Sequence, residues 1–387
     1  MQKIMSLYNV NLKIKAVLIL CISVFLFSGN AYAESPQDSF YTGIVVEEYQ
    51  NFYADEEGYE DEFQTVTVQI LRGERAGELV QMNHGVGANL SAHEQVKEGQ
   101  QVVLGEVTIG EERTYFIRDF YRIPALTWVL LFFVALIIVF GKTKGVRALI
   151  GLGFSILILT KFIVPQIIAG GSPFWITLVG ALLIMLVSMY LAHGVHPRTT
   201  IALISTMITI VFALILSLLF VEFTQIFGTG SEDAYSLQFL GGIEALNLRG
   251  LLLGGIVIGT LGVLDDITVS QSAIVDELKK ANNKLTVKQL YTHATSVGRD
   301  HIASLVNTLV LAYAGASLPI FIMFSLNDSQ PLMMFLNSEF VAEEVVRTLV
   351  GSSALILAVP ITTILAALYF DTHPSDPKEK GGHMCVH

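Results

Sequence analysis

Two adjacent acids inside an apolar stretch are the first chemistry the sequence offers. Residues 250–271 read GLLLGGIVIGTLGVLDDITVSQ. At 1.5 Å of rise per residue, a helix begun at Leu251 carries Asp265 and Asp266 roughly 20 Å along its axis, deep in any bilayer it spans. A charge at such depth costs at least ~2.5 kcal/mol, and neighbouring carboxylates oppose each other's ionisation. At least one of the two is therefore expected to be protonated or paired, the condition of a group that exchanges protons. The bland alternative ends the helix near Leu264 and leaves both acids in interfacial water. Ile267, Val269, Ala273, Ile274 and Val275 continue the apolar pattern beyond them and favour the membrane reading. Four glycines in the same stretch form two small-xxx-small pairs, Gly250/Gly254 and Gly255/Gly259, which let another helix backbone come close.

Groups able to answer those acids follow in Gly298-Arg299-Asp300-His301 and the apolar segment after it. Asp300, Ser304, Asn307 and Thr308 fall at helical steps of three and four, on one face. Asn307 is the expected hydrogen-bond partner of Asp265 or Asp266, and Arg299 or His301 the expected countercharge. Just upstream, Thr286-Val-Lys-Gln289 has the spacing of a capping box. Val287, Leu290, Tyr291, Ala294 and Val297 then form one apolar stripe. The stripe predicts an amphipathic helix along the inner leaflet, within a cytoplasmic segment 276–300.

The frame that must hold these residues is a membrane bundle. Seven apolar segments run Leu126–Phe140, Ala148–Ala169, Trp175–Ala192, Ile201–Val221, Leu251–Val275, Ile302–Leu326 and Leu349–Phe370. Most approach or exceed the length that crosses ~30 Å of hydrocarbon. They predict an α-helical integral membrane bundle of seven helices over 123–370, near 123–141, 147–169, 174–193, 199–221, 250–275, 301–326 and 348–370. Of the 14 Lys and Arg residues in 123–387, 11 fall on one side of that map and two, Arg249 and Arg347, on the other. Lys161 lies within a segment. The positive-inside rule then places the tail 371–387 in the cytoplasm and the N-terminal region outside the cell membrane.

Residues 34–122 differ in kind. They hold 18 acids and 6 bases, nearly all of the chain's negative charge. Short β-branched runs such as Thr65–Leu71 and Gln101–Leu104 alternate between glycines, predicting a small extracytoplasmic β-barrel, OB-like or SH3-like. Ahead of it, Lys3, Lys13 and Lys15 precede a 13-residue apolar run and Ala31-Tyr32-Ala33, the layout of a signal peptide over 1–33. Its removal would take net charge from −11 to −14. Cys21 would leave with it, so Cys385 would have no disulfide partner in the chain.

Composition closes off several functions. The chain of 387 residues is 52% hydrophobic and 15% charged, against about 25% charged for a soluble domain. A net charge of −11 argues against nucleic acid as a partner. Asp55–Glu62 is acidic but lacks the ligand spacing of a calcium loop. His93-Glu94-Gln95-Val96-Lys97 has a lysine where a zinc protease needs its second histidine. His383, Cys385 and His387 make a weak soft-metal motif at a chain end. No metal, cofactor or soluble-type enzyme chemistry is expected, since no P-loop, dinucleotide fingerprint or Ser-His-Asp grouping is present. Leu264, where presenilin-like proteases place glycine, stands against an intramembrane aspartyl protease.

The two blocks that carry the acids and their answering groups, Gly262–Gln271 and Gly298–Pro319, closely resemble the YibE/F family of bacterial multi-pass membrane proteins. The resemblance extends over most of residues 40–370. It implies architecture more than activity, and it places Asp265, Asp266, Arg299, Asp300, His301 and Asn307 in the family's signature blocks. A weaker likeness, of pattern only, is to one half of a SecDF-type or RND-type permease, where intramembrane acids and bases couple protons to motion. The segments at 126–140 and 148–169 depart from that half. The leading expectation is a proton-linked permease or export accessory factor. The alternative is a non-transporting membrane scaffold whose acidic outer domain binds a partner. The expected surroundings are the lipid bilayer, with a membrane-protein partner or a homo-oligomer.

Overall fold

The computed structural model describes residues 40–54, 60–73, 75–85, 94–109, 112–237, 246–326 and 331–373. The expected signal peptide, the start of the acidic run at Asp55, His93 and the tail motif of His383, Cys385 and His387 lie outside the described residues. The chain divides into two compact units, Tyr32–Val139 and a larger one from Phe140 onward.

The smaller unit is built on β1 (Phe40–Ala54), β2 (Glu60–Ile70), β3 (Leu79–His84), β4 (Gln101–Ile109) and β5 (Glu112–Phe120). The strands pair antiparallel in the order β3-β2-β1-β4-β5, so β4 returns beside β1 after a meander, a Greek key. Period-two alternation sends Val66, Val68, Ile70, Val80, Met82, Val102 and Leu104 into one core. The run at 101–104 continues as one strand to Ile109 through Gly105. A Cβ there would stand 2.4 Å from the Phe116 ring on the next strand. Buried Gln64 ties the segment before β4 to the sheet: its carbonyl accepts from Val96 N–H at 2.8 Å and its amide donates to Val96 O at 3.1 Å. The sheet curls into a half-barrel.

The helices are α1 (Ile123–Ile158), a π turn at Leu159–Ile163, α2 (Val164–Ile168), α3 (Pro173–His193), α4 (Pro197–Phe223), α5 (Glu232–Leu237), α6 (Leu248–Ala281), α7 (Val287–Ala316), α8 (Leu318–Leu326), α9 (Leu332–Leu336) and α10 (Glu339–Thr372). Five stretches are long and apolar enough to cross a membrane: Ile123–Ile168, α3, α4, α6 and α10. The seven expected helices therefore map differently. The first two segments share one helical run of 46 residues, broken in backbone conformation at Lys142 (φ 50, ψ −134). The sixth is divided between α7 and α8 at Ser317, two residues before Pro319.

The expected amphipathic connector is not a separate helix. It forms the first half of α7, opened by the Thr286–Gln289 capping box. Part of its stripe is covered by protein: Leu290 and Ala294 pack with Val275, Ala366, Ala367 and Phe370, while Val297 is exposed.

α6 is the hub, packed on α3, α4, α7 and α10. Gly254 sets its approach to α3, since a Cβ there would meet Thr177 Oγ1 at 2.7 Å. Charge sorts to the two ends of the bundle. At one end Lys279 Nζ reaches Asp371 at 2.8 Å and Lys280 reaches Asp276 at 2.5 Å, near Arg198. At the other end, Arg249 pairs with Glu222 at 2.5 Å and Arg347 with Glu344 at 2.8 Å.

Candidate functional site

Asn247 caps α6, its side chain accepting from Gly250 N–H at 2.8 Å. Gly250 thus serves the cap and Gly254 serves packing, while Gly255 and Gly259 are exposed. The helix does not end at Leu264 but runs to Ala281, so both acids sit within it, close to its midpoint. Adjacent helical residues point ~100° apart, and the two acids diverge accordingly. Asp265 turns into the bundle, where its Oδ1 is buried and has no hydrogen-bond partner. Asp266 is exposed, with His193 at the end of α3 within electrostatic range.

The structure does not bring the expected answering groups to these acids. Arg299, Asp300, His301 and Asn307 are all exposed on α7, and no hydrogen bond or ion pair among the described residues joins them to Asp265 or Asp266. The reason is helical phase. Gly298 faces inward, so tightly that a Cβ would meet Val359 at 2.5 Å and Gln271 at 3.0 Å. At ~100° per residue Asn307 points about 180° away from it. Depth is shared, since Gln271 lies beside Gly298 and Gly259 beside Tyr313, but direction is not.

What the bundle places around the acids is a polar seam. Thr268 Oγ1 lies 2.8 Å from Thr206 Oγ1 of α4. Gln271 donates to Ala294 O of α7 at 2.9 Å and to Thr363 Oγ1 of α10 at 2.8 Å. Ser272 donates to Arg198 O at 3.0 Å. Among the described residues, the buried side-chain atoms without a partner besides Asp265 Oδ1 are Gln271 Oε1, Thr295 Oγ1, Ser352 Oγ and Thr362 Oγ1. All lie on α6, α7 and α10. The available signal was the hydroxyl series Ser205, Thr206, Thr209 and the pair Thr362-Thr363, both within apolar segments.

A second carboxylate pair, Glu339 and Glu343 at the start of α10, is held quite differently. Glu339 Oε1 accepts the backbone N–H groups of Phe227 and Gly228 at 2.7 Å each and of Thr229 at 3.1 Å. Its Oε2 accepts from Thr229 Oγ1 at 2.8 Å, and Glu343 Oε1 accepts from Gly230 N–H at 2.9 Å. Gly228 has φ +89, and a Cβ on it would stand 2.5 Å from Leu248 O, so glycine is required in that loop.

Two cavities lie elsewhere. One of about 280 Å³ is almost wholly apolar, among Val310, Phe321, Phe335, Phe340 and Leu349. The other, about 210 Å³, lies between His196, Arg198, Asp276, Lys280 and His373. Among the described residues no group of three His, Cys, Asp or Glu side chains is arranged to hold a metal ion.

A family model described as YibE/F-like protein matches residues 129–372. The chain belongs to the YibE/F family. The YibE/F match begins within α1 and ends on the last residue of α10, so it contains α6, α7 and the whole polar seam and leaves out the β strands. No curated protein and no solved structure matches the chain.

Proposed function

We propose that this YibE/F protein is a proton-linked permease or export accessory factor in which Asp265 carries the proton. The observation that supports this reading is the buried Oδ1 without a partner, midway along a helix apolar enough to span a membrane. A buried polar atom left unbonded costs ~1–3 kcal/mol, and native structures keep few of them. Here the cost is smallest when the carboxyl is neutral, so a change of protonation alters how α6 is held against its neighbours. Asp266, exposed and within electrostatic range of His193, is the second carboxylate beside it. The hydroxyls and amide around Thr268 and Gln271 supply donors and acceptors along the same helix.

Orientation follows from the basic residues: the end bearing Arg198, Lys279, Lys280, Lys284 and Lys288 faces the cytoplasm. With 123–141 and 147–168 crossing separately on either side of the break at Lys142, the acidic domain lies outside. Its five strands, Greek-key order and incomplete closure favour the OB-like of the two barrel readings, as a docking or gating module for a partner in the envelope.

The test is proton flux into liposomes carrying a pH-sensitive dye. Asp265→Asn, nearly isosteric but unable to ionise, should abolish it at unchanged protein level, whereas Asp266→Asn should retain flux. Full flux in the double Asp265→Asn, Asp266→Asn protein would end the proton-carrier reading, and absence of flux from the unaltered protein would favour the scaffold.

A further inference from the structure

We propose that a second copy of this chain covers the outer face of α6 and α7, forming a two-fold dimer side by side within the membrane. The unpaired polar face of α7 carries the proposal. α7 runs antiparallel beside α6 and also packs on α10. Both neighbours are apolar enough to span, so the middle of α7 lies at their depth. The side farthest from Gly298 nonetheless bears Asp300, Ser304 and Asn307, flanked at one edge by Arg299 and at the other by His301 and Thr308, all exposed. One hydroxyl is answered within the helix, Thr308 Oγ1 donating to Ser304 O at 2.9 Å. Among the described residues no hydrogen bond or ion pair answers the guanidinium, imidazole, carboxylate or amide. Hydrocarbon does not hold such a face, because each polar group left without a partner there costs several kcal/mol.

α6 shapes what fits against it. Gly255, Gly259 and Gly262 recur at steps of four and three and are exposed. A Cβ on Gly255 or Gly262 would meet nothing within 4 Å, and on Gly259 only the Tyr313 hydroxyl at 3.5 Å. The result is a groove with a glycine floor and a polar wall, and a helix backbone can lie close to such a floor. The charges select the occupant. Arg299 and His301, at the two edges of that face, offer donors, and Asp266 and Asp300 offer acceptors, all of them exposed. A face bearing both halves of its own ion pairs is what an isologous interface requires, since each residue meets its counterpart's partner. Proton movement is not needed for this dimer.

The test uses the full chain with Cys21→Ser and Cys385→Ser, in lipid nanodiscs and in native membranes. The expected mass is that of two copies. Single cysteines at Ala303→Cys, Asn307→Cys and Leu311→Cys should give a cross-linked homodimer with a short bis-maleimide at one position or more. Gly255→Leu with Gly262→Leu fills only open space within one copy, so its unfolding midpoint should stay unchanged while cross-linking falls by about tenfold or more. Arg299→Ala should weaken the dimer in the same direction. A single-copy mass overturns the proposal, as does cross-linking undiminished by the leucines. So does free labelling of Asn307→Cys by a membrane-impermeant maleimide without cross-linking, which marks a water-filled groove, or capture of a different protein.

Discussion

The two carboxylate pairs of the bundle invite direct comparison. Glu339 and Glu343 stand at the start of a helix and between them accept hydrogen bonds from four backbone N–H groups and a hydroxyl. Asp265 and Asp266 stand midway along a helix, and Asp265 Oδ1 accepts from nothing. The first arrangement stabilises one charge state in one geometry. The second leaves the charge state free to respond to its surroundings. In a membrane protein, the acid with no partner is the better candidate for work, and the saturated acid for construction.

That contrast is sharpest when tested reciprocally. Asp265→Asn is expected to remove proton flux and leave unfolding unchanged, while Glu339→Gln should leave flux and lower stability. Glu339→Ala goes further: it strips acceptors from the 227–229 backbone and should cost about 3 kcal/mol, read as a lower unfolding midpoint in detergent. If Glu339→Ala were silent in stability and dead in flux, the division of labour would be reversed.

A smaller effect is expected at Gln271, which is partnered on its amide side and unpartnered at Oε1. Gln271→Ala should cost about 1–3 kcal/mol by removing the two hydrogen bonds its amide donates, to Ala294 O and Thr363 Oγ1. A change in the pH dependence of flux at unchanged midpoint would instead place Gln271 with the working group.

The smallest effect belongs to the β domain. Burial first, then the Glu106 carboxylate, push the Tyr115 phenol up, against the opposing pull of Arg75, whose guanidinium donates to its hydroxyl. A raised phenol contributes stability that is fully present below the ordinary value of about 10 and lost as pH rises through the folded one. Residues 34–122 expressed alone should therefore fold as a β-rich domain and lose stability above about pH 10. Tyr115→Phe should blunt that loss, as followed by circular dichroism.

The apolar segments, the strands and the capping box are legible in the sequence because each rests on local periodicity or on one short spacing. Period two in Thr65–Leu71 is enough to name β2, and Thr286 with Gln289 is enough to start α7. The division of the sixth segment at Ser317 is less so, since Pro319 signals a break without saying on which side it falls. The site was only half legible. Asp265 stands out by its type in an apolar run, but whether Asn307 faces it depends on which side of α7 packs inward. Gly298, wedged between Gln271 and Val359, decides that. The Glu339 contacts were out of reach for a different reason: they join residues more than a hundred positions apart, and nothing in Phe227–Gly230 announces a carboxylate partner.

Those contacts also have a temporal consequence. Glu339 and Glu343 bind a loop synthesised 110–113 residues before them. At roughly 5–20 residues per second, that loop emerges about 5–20 s before its partners exist. α10, which they begin, also supplies packing to α4, α6 and α7. The earlier helices must therefore wait in the bilayer with their seams open until the last one arrives, and closure of the 227–230 loop reports that insertion is complete. A chain stopped short of Glu339 would present unclaimed backbone amides at 227–229 and leave α4, α6 and α7 without the helix they pack on.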